Sequence, residues 1–121
     1  MTTNRRVLIV DDQESYRSAA RLVVELASGF EVAGESESGE AAITDVESLR
    51  PDVVLMDVKM PGIDGLEATR RITASHPGIK VIVLSTYDAS DYEDSAIEAG
   101  AVAFISKSEF GPAALEERTL D

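Results

Sequence analysis

Charged and polar side chains follow four short apolar runs of the sequence, each at the point where the run ends. Asp11 and Asp12 come directly after the first of these runs, and Asp57 closes the second. The groups that follow the other two runs are those of Ser85, Thr86, Ser106 and Lys107. Burying an ionised carboxylate costs several kcal/mol unless it is paired or bound to a metal. The placement of Asp57 at the end of an apolar run therefore predicts that this residue has a chemical role.

The chemistry open to these residues is that of a hard metal ion and a phosphoryl group. Carboxylates that lie close together raise one another's pKa unless a cation compensates. Oxygen ligands without Cys or a nearby His favour magnesium, calcium or manganese over zinc or copper. Magnesium suits a few carboxylates plus water and phosphate oxygens best, with manganese as the alternative. A remaining Asp can attack phosphorus, while the metal and a lysine neutralise charge and a hydroxyl donates to a phosphoryl oxygen.

Five strands alternating with five helices would position these side chains. Apolar runs predict strands over residues 7–10, 30–33, 51–57, 81–84 and 101–105. Helical periodicity and capping residues predict helices over residues 14–27, 38–49, 64–75, 90–99 and 113–120. The apolar face of the first helix comprises Tyr16, Ala19, Ala20, Val23, Leu26 and Ala27. Asp64, with Glu67 three residues later, is placed as an N-cap rather than as a site residue.

This alternation predicts an α/β fold with a parallel sheet. Most of the strands are apolar throughout, which is typical of strands covered on both faces by helices. In such sheets ligands bind beyond the carboxyl ends of the strands, where the strand order reverses. We therefore expect the three carboxylates, the hydroxyls and Lys107 to converge at one edge of the sheet.

Composition restricts the class of protein. A chain of 121 residues with 44% hydrophobic residues is the size of one domain, which we assign to residues 1–121. The formal charge of -12 disfavours direct binding to nucleic acid or to an anionic membrane. The absence of cysteine is compatible with a reducing compartment, and the apolar run before Asp11 is too short for a signal peptide or membrane span. We expect a cytoplasmic protein.

Several motifs resemble, in the same order, the receiver domain of two-component response regulators. They are Asp11-Asp12, residues 57–68 (DVKMPGIDGLEA), Ser85-Thr86, and Phe104 three residues before Lys107. Residues 57–68 are most similar to the NarL/FixJ-type subfamily, whose receivers often precede a helix-turn-helix DNA-binding domain. The resemblance spans nearly the whole chain. It implies a flavodoxin-like, doubly wound (βα)5 fold with the strand order 2-1-3-4-5.

The resemblance also implies a phosphoacceptor site. Asp57 would accept a phosphoryl group from a sensor histidine kinase in a magnesium-dependent reaction, which the domain itself assists. Lys107 would pair with the phosphoryl group, and Ser85 would bond one of its oxygens. The implied metal ligands are Asp57, Asp12, the main-chain carbonyl of Lys59 and, through water, Asp11.

A switch is implied as well. Movement of Ser85 toward the phosphoryl group would turn Phe104 inward and change the face formed by the fourth helix, fifth strand and fifth helix. Lys59 and Tyr87 would tune the lifetime of the phosphorylated state. The implied outputs are phosphorylation-dependent homodimerisation and control of a C-terminal helix-turn-helix domain or a separate protein partner. Two departures from the family stand out: Ser108 replaces a frequent cis-proline after Lys107, and Phe104 lacks a tyrosine hydroxyl.

Three other classes of protein share some of these features. A phosphohydrolase with an aspartyl nucleophile usually carries a second Asp two residues later, where this chain has Lys59. A flavodoxin-like cofactor module needs a phosphate-cradling loop after the first strand, where Asp11 and Asp12 would repel phosphate. A receiver-like interaction module that is never phosphorylated is disfavoured because every charged site position is filled.

Overall fold

The computed structural model describes residues 3–86 and 89–120. The strands are β1 (Arg5–Val10), β2 (Phe30–Ser36), β3 (Val53–Asp57), β4 (Lys80–Ser85) and β5 (Ala103–Ser106). The helices are α1 (Glu14–Leu26), α2 (Gly39–Leu49), α3 (Gly65–Ser75), α4 (Ala89–Glu98) and α5 (Pro112–Arg118), with a short 3-10 helix over Lys107–Glu109. The predicted alternation is confirmed. Tyr87 lies outside the described residues, so its predicted role is a prediction only.

All five strands form one parallel sheet in the order β2-β1-β3-β4-β5. This is the predicted order. The chain runs from β1 outward to β2 and then crosses back to β3, so the order reverses between β1 and β3. The residues that follow these two strands therefore line the crevice in which ligands of doubly wound sheets bind.

Apolar side chains on the two faces of the sheet form two separate clusters. One cluster packs β-strand residues against α2, α3 and α4, including Val46, Ile72 and Ala96. The other packs them against α1 and α5, including Val24 and Leu115. Every residue of β3 is buried, as expected for a central strand covered on both faces. None of the described helices is both long and apolar enough to cross a membrane.

Capping residues fix where the helices begin beside the sheet. The Ser38 hydroxyl accepts the Ala41 N–H at 3.0 Å, and this starts α2. Asp64 Oδ1 accepts the Glu67 N–H at 2.9 Å, which confirms the predicted N-cap of α3. The Glu67 carboxylate turns toward Arg70 and Arg71 on the surface of α3. Asp64 thus positions the helix that follows Asp57.

The buried face of α1 differs from the predicted one. The predicted apolar face includes Leu26, which is 66% exposed in the structure. Arg17 is instead buried in the same stripe as Ala20 and Val24. The helix can bury a guanidinium because it has polar partners there: Arg17 donates to the main-chain oxygen of Asp11 at 2.8 Å and to Glu35 at 3.3 Å. A prediction from hydrophobic periodicity expects only apolar residues on the buried face. It therefore leaves out Arg17 and moves the predicted face toward Leu26.

Candidate functional site

Three carboxylates meet at the carboxyl ends of β1 and β3. Carboxylate oxygens of Asp11, Asp12 and Asp57 all lie within 4.8 Å of one another. Asp11 and Asp57 are only 1% and 8% exposed, whereas Asp12 faces solvent. The residues sit here because β1 and β3 are neighbours and parallel, so that their last residues reach the same edge. The cluster thus has two buried carboxylates and a third that is open to solvent.

Lys107 provides the positive charge of this site. It follows β5, and its Nζ donates to Asp11 Oδ2 at 2.6 Å and lies 3.2 Å from Asp57 Oδ1. The lysine side chain is 11% exposed, so these ion pairs are largely shielded from water. The described chain contains no cis peptide bond, so the bond between Lys107 and Ser108 is trans.

The charges at the site are out of balance. Three carboxylates face one ammonium, and burial raises the pKa of Asp57 from 3.8 to about 6. The negative charge of Asp11 also raises this pKa, and Lys107 opposes it. A divalent cation would balance the charge, and carboxylate oxygens are the ligands that magnesium prefers. The donor set therefore fits the predicted metal.

Ser85 and Phe104 occupy neighbouring strands beside the carboxylates. Asp57 pairs in register with Leu84, so Ser85 lies one residue further along at the same edge. Phe104 pairs with Val83 on the other side of β4 and is buried in the cluster that includes α4. The predicted hydroxyl and aromatic thus lie on adjacent strands, two register positions apart, and both are almost fully buried.

Two glycines allow the loop from β3 to α3 to fold against the site. A Cβ on Gly65 would overlap the main-chain oxygen of Asp57, so only glycine lets α3 begin there. Gly62 has a φ of +84°, and a Cβ on it would meet the carboxylate of Glu40. Glu40, in the first turn of α2, also accepts the Ile63 N–H at 3.1 Å. This loop contains Lys59, whose Nζ lies 6.0 Å from the ring centroid of Tyr92.

The sequence did not reveal three residues that support the site: Tyr16, Arg17 and Glu40. The Arg17 guanidinium holds the main-chain oxygen of Asp11, and the Asp11 carboxylate accepts the Gln13 N–H at 2.9 Å. Glu40 braces the loop after Asp57. The Tyr16 ring centroid lies 4.2 Å from Lys107 Nζ. Only Tyr16 gave a signal, as an apolar-face residue four positions after Asp12, and that signal pointed to the core.

A family model described as the response regulator receiver domain matches residues 7–119 of the chain. This chain belongs to that family. Receiver domains are signalling domains of two-component response regulators, which is the family that the motifs around Asp11, Asp57 and Lys107 predicted.

The receiver domain is also similar to curated regulators. The response regulator GacA of Pseudomonas viridiflava is 42% identical over 102 residues, which cover 84% of this chain and 48% of that protein. The chain therefore spans about half the length of the curated relatives it matches.

Solved structures give the same picture. A LuxR-family response regulator from Aurantimonas sp. SI85-9A1 superposes with a TM-score of 0.86 at 30% identity, over 95% of this chain and 81% of that one. The receiver domain of the putative regulator NarL from Mycobacterium tuberculosis superposes with a TM-score of 0.87 at 26% identity, over 98% and 99%. These similarities identify the receiver domain as NarL/FixJ-type.

Proposed function

We propose that this receiver domain is a phosphoacceptor in which Asp57 takes a phosphoryl group from the phosphohistidine of a sensor histidine kinase. The observation that supports it best is the placement of the Asp57 carboxylate, 3.2 Å from Lys107 Nζ and clustered with Asp11 and Asp12. Residues 1–121 would act in the cytoplasm, as the receiver of a longer regulator or as a stand-alone domain.

The residues that would hold the metal are those that the charge imbalance singles out. Asp12 and Asp57 would supply carboxylate oxygens directly and Asp11 through water, and the main-chain carbonyl of Lys59 would supply a further ligand from the adjoining loop. When bound, Mg²⁺ supplies positive charge against the transferring phosphoryl oxygens. The glycines at positions 62 and 65 let this loop lie close to Asp57.

In the transfer step, a carboxylate oxygen of Asp57 forms a bond to phosphorus as the bond between phosphorus and the imidazole nitrogen of the donor breaks. The imidazole leaves with the electron pair of that bond and takes up a proton. Lys107 moves from its ion pair with Asp57 to a phosphoryl oxygen, and Ser85 donates a hydrogen bond to another oxygen. Hydrolysis of the aspartyl phosphate later resets the site, with Lys59 and Tyr87 tuning its rate.

The output of this step would be a change in packing on the face formed by α4, β5 and α5. Ser85 and Phe104 lie on adjacent strands, so movement of the hydroxyl toward the phosphoryl group changes the space available to the ring. We infer that this face then controls a helix-turn-helix output domain or a separate protein partner, and promotes homodimers. Regulation of transcription is the expected outcome, given the LuxR-family and GacA similarities.

Intact-mass measurement after incubation with magnesium and acetyl phosphate tests the proposal. We expect one added phosphoryl group on the parent, none on Asp57→Asn, and normal labelling of Asp64→Asn, which removes a carboxylate outside the cluster. No added mass on the parent would favour the interaction module that is never phosphorylated. Repeated turnover of an unrelated phosphate ester would favour the phosphohydrolase.

The dimer is tested separately. Sedimentation velocity of the parent with and without acetyl phosphate should show a larger species only in the phosphorylated sample. Asp57→Asn should show no shift in either sample. Identical profiles for a parent whose labelling has been verified by mass would contradict dimerisation while leaving phosphotransfer intact.

A further inference from the structure

Three groups surround the ammonium of Lys107. Asp11 Oδ2 accepts from Nζ at 2.6 Å, and Asp57 Oδ1 lies 3.2 Å away. The third group is the aromatic face of Tyr16, whose centroid is 4.2 Å from Nζ. Distances of this size to a ring face place a cation in the attractive field of the ring quadrupole. The lysine is therefore held by two carboxylates and one aromatic ring.

The ring replaces water on one side of the lysine. The Lys107 side chain is 11% exposed although it lies at an open edge of the sheet. Attraction between a cation and an aromatic face grows when the cation is shielded from solvent. An aliphatic side chain at position 16 would cover the same area without attracting the charge, so the chemical type of Tyr16 matters as well as its size.

The position of Tyr16 is fixed by the turn that carries the carboxylates. Tyr16 lies in the first turn of α1, which begins at Glu14. The Asp11 carboxylate accepts the Gln13 N–H at 2.9 Å, and Arg17 donates to the main-chain oxygen of Asp11 at 2.8 Å. The ring and Asp11 are thus parts of one braced segment, so Lys107 docks against a preformed surface made of both.

We propose that Tyr16 is a positioning residue for Lys107, holding the ammonium between Asp11 and Asp57 through its ring face and excluding water from the remaining side. With the ring on one side, the ammonium stays 3.2 Å from an oxygen of Asp57, the carboxylate that would receive the phosphoryl group. The kinetic consequence rests on the proposed phosphoacceptor function, whereas the contact itself does not. Tyr16→Leu removes the ring, and Tyr16→Phe keeps the ring and removes only the hydroxyl.

The contact is tested by reaction of the lysines with an amine-acylating reagent in metal-free buffer. The chain has three lysines, so Lys59 and Lys80 serve as references within the same molecule when peptides are analysed by mass spectrometry. We expect the labelling rate of Lys107, relative to these references, to rise about fivefold to tenfold in Tyr16→Leu and to stay near the parent value in Tyr16→Phe. An unchanged ratio in Tyr16→Leu, or an equal rise in both variants, would overturn the proposal.

A control separates positioning from loss of packing. Val32 packs against the same apolar cluster as Tyr16 but belongs to β2, away from Lys107. Val32→Ala should lower thermal stability without changing the Lys107 labelling ratio. If Tyr16→Leu does not fold by circular dichroism, Tyr16→Met replaces it with the same expected result. A rise in Lys107 labelling in Val32→Ala equal to that in the position-16 variant would contradict a specific role of the ring.

The kinetic consequence is tested with magnesium and acetyl phosphate. The maximal phosphorylation rate should fall about fivefold in Tyr16→Leu, with little change in the acetyl phosphate concentration that gives half of that rate, and Tyr16→Phe should behave like the parent. A parent that is not phosphorylated would refute the phosphoacceptor function, and the labelling result would still decide the contact. A labelled parent with an equal rate in Tyr16→Leu would refute the inference alone.

Discussion

At the carboxyl ends of the strands three carboxylates crowd around one ammonium, whereas at the amino ends basic side chains bond to main-chain carbonyls. Arg5 and Lys80, which begin β1 and β4, both donate to the main-chain oxygen of Thr119, at 2.8 and 2.9 Å. Arg6 donates to the main-chain oxygen of Leu49 and through its N–H to Asp52 Oδ2. In this sheet, the basic side chains at the amino ends of the strands, called the amino edge below, are matched by hydrogen-bond acceptors. The carboxylates at the carboxyl ends, called the carboxyl edge, outnumber the one ammonium beside them.

The comparison separates charges that are paired and stabilise the fold from charges that are not balanced within the domain. Cations at the amino edge satisfy the carbonyls that end helices and so stabilise their attachment to the sheet. At the opposite end of the sheet, burial and then the charge of Asp11 raise the pKa of Asp57 to about 6, which is unfavourable for the folded domain alone at neutral pH. A bound cation would offset this excess of negative charge. Variants at the two edges should therefore behave differently.

The largest contrast is expected between two glycines. Gly65→Ala should lower the free energy of unfolding by about 3 kcal/mol, because the added Cβ overlaps the main-chain oxygen of Asp57 and forces α3 away from β3. Gly78→Ala, at the amino edge, has nothing within 4 Å of its added Cβ and should change stability by about 0.5 kcal/mol or less. Urea denaturation of both variants measures the difference. Equal losses would show that the two edges are equally tolerant.

The next contrast is between two carboxylates in metal-free buffer. Asp57→Asn should stabilise the domain at neutral pH by about 2 kcal/mol, because it removes a buried charge that two other carboxylates repel. Asp52→Asn should instead destabilise it by about 1 kcal/mol, since it weakens the bond from the Arg6 N–H. Denaturation in the presence of a chelator gives both values. The same sign for both variants would contradict the comparison.

The stabilisation by Asp57→Asn should depend on pH, in the direction that the raised pKa of Asp57 sets. Folded Asp57, with a pKa of about 6, binds its proton more tightly than the unfolded chain does near 3.8. Raising the pH from about 5 to about 7.5 should therefore destabilise the metal-free parent relative to Asp57→Asn. A stability difference that stays constant over this window would show that Asp57 titrates normally.

Magnesium should change the free energy of unfolding by a smaller amount, and only variants at the carboxyl edge should alter this response. At ten times its Kd, the ion should stabilise the parent by about 1.4 kcal/mol, because it binds the folded cluster and not the unfolded chain. Asp12→Asn should lose most of this gain and Asp52→Asn should keep it. Thermal melts at increasing magnesium concentration test the pair. A full response in Asp12→Asn would exclude its carboxylate from the metal site.

The smallest effect is expected at the Thr119 carbonyl. Lys80→Met should lower the free energy of unfolding by roughly 0.5–1 kcal/mol, because Arg5 still donates to the same oxygen. Its magnesium response and its phosphorylation by acetyl phosphate should match those of the parent. Reduced phosphorylation in this variant, measured by intact mass, would show that the two edges are coupled rather than independent.

The sequence predicted the fold and most of the site because both depend on patterns that are local in the chain. Apolar runs marked the strands, and parallel strands bring Asp11, Asp57 and Lys107 to one edge regardless of side-chain detail. Arg17 and Glu40 were missed because their partners, the Asp11 carbonyl and the Ile63 N–H, are main-chain groups that become neighbours only after folding. Leu26 was misplaced because periodicity cannot foresee a buried arginine.

Strand β5 lies at the outside of the sheet and is hydrogen-bonded to β4 along one side. It is four residues long and carries Phe104 toward one apolar cluster and Ile105 toward the other, with Lys107 directly beyond its end. A pull on the lysine is therefore resisted by one ladder, whereas a pull on Asp57 is resisted by ladders on both sides of β3. The site therefore joins a carboxylate on a central strand, which is held on both sides, to an ammonium beyond an edge strand, which is held on one side. Because β5 also packs against both helical layers, a displacement of Lys107 would be transmitted to both.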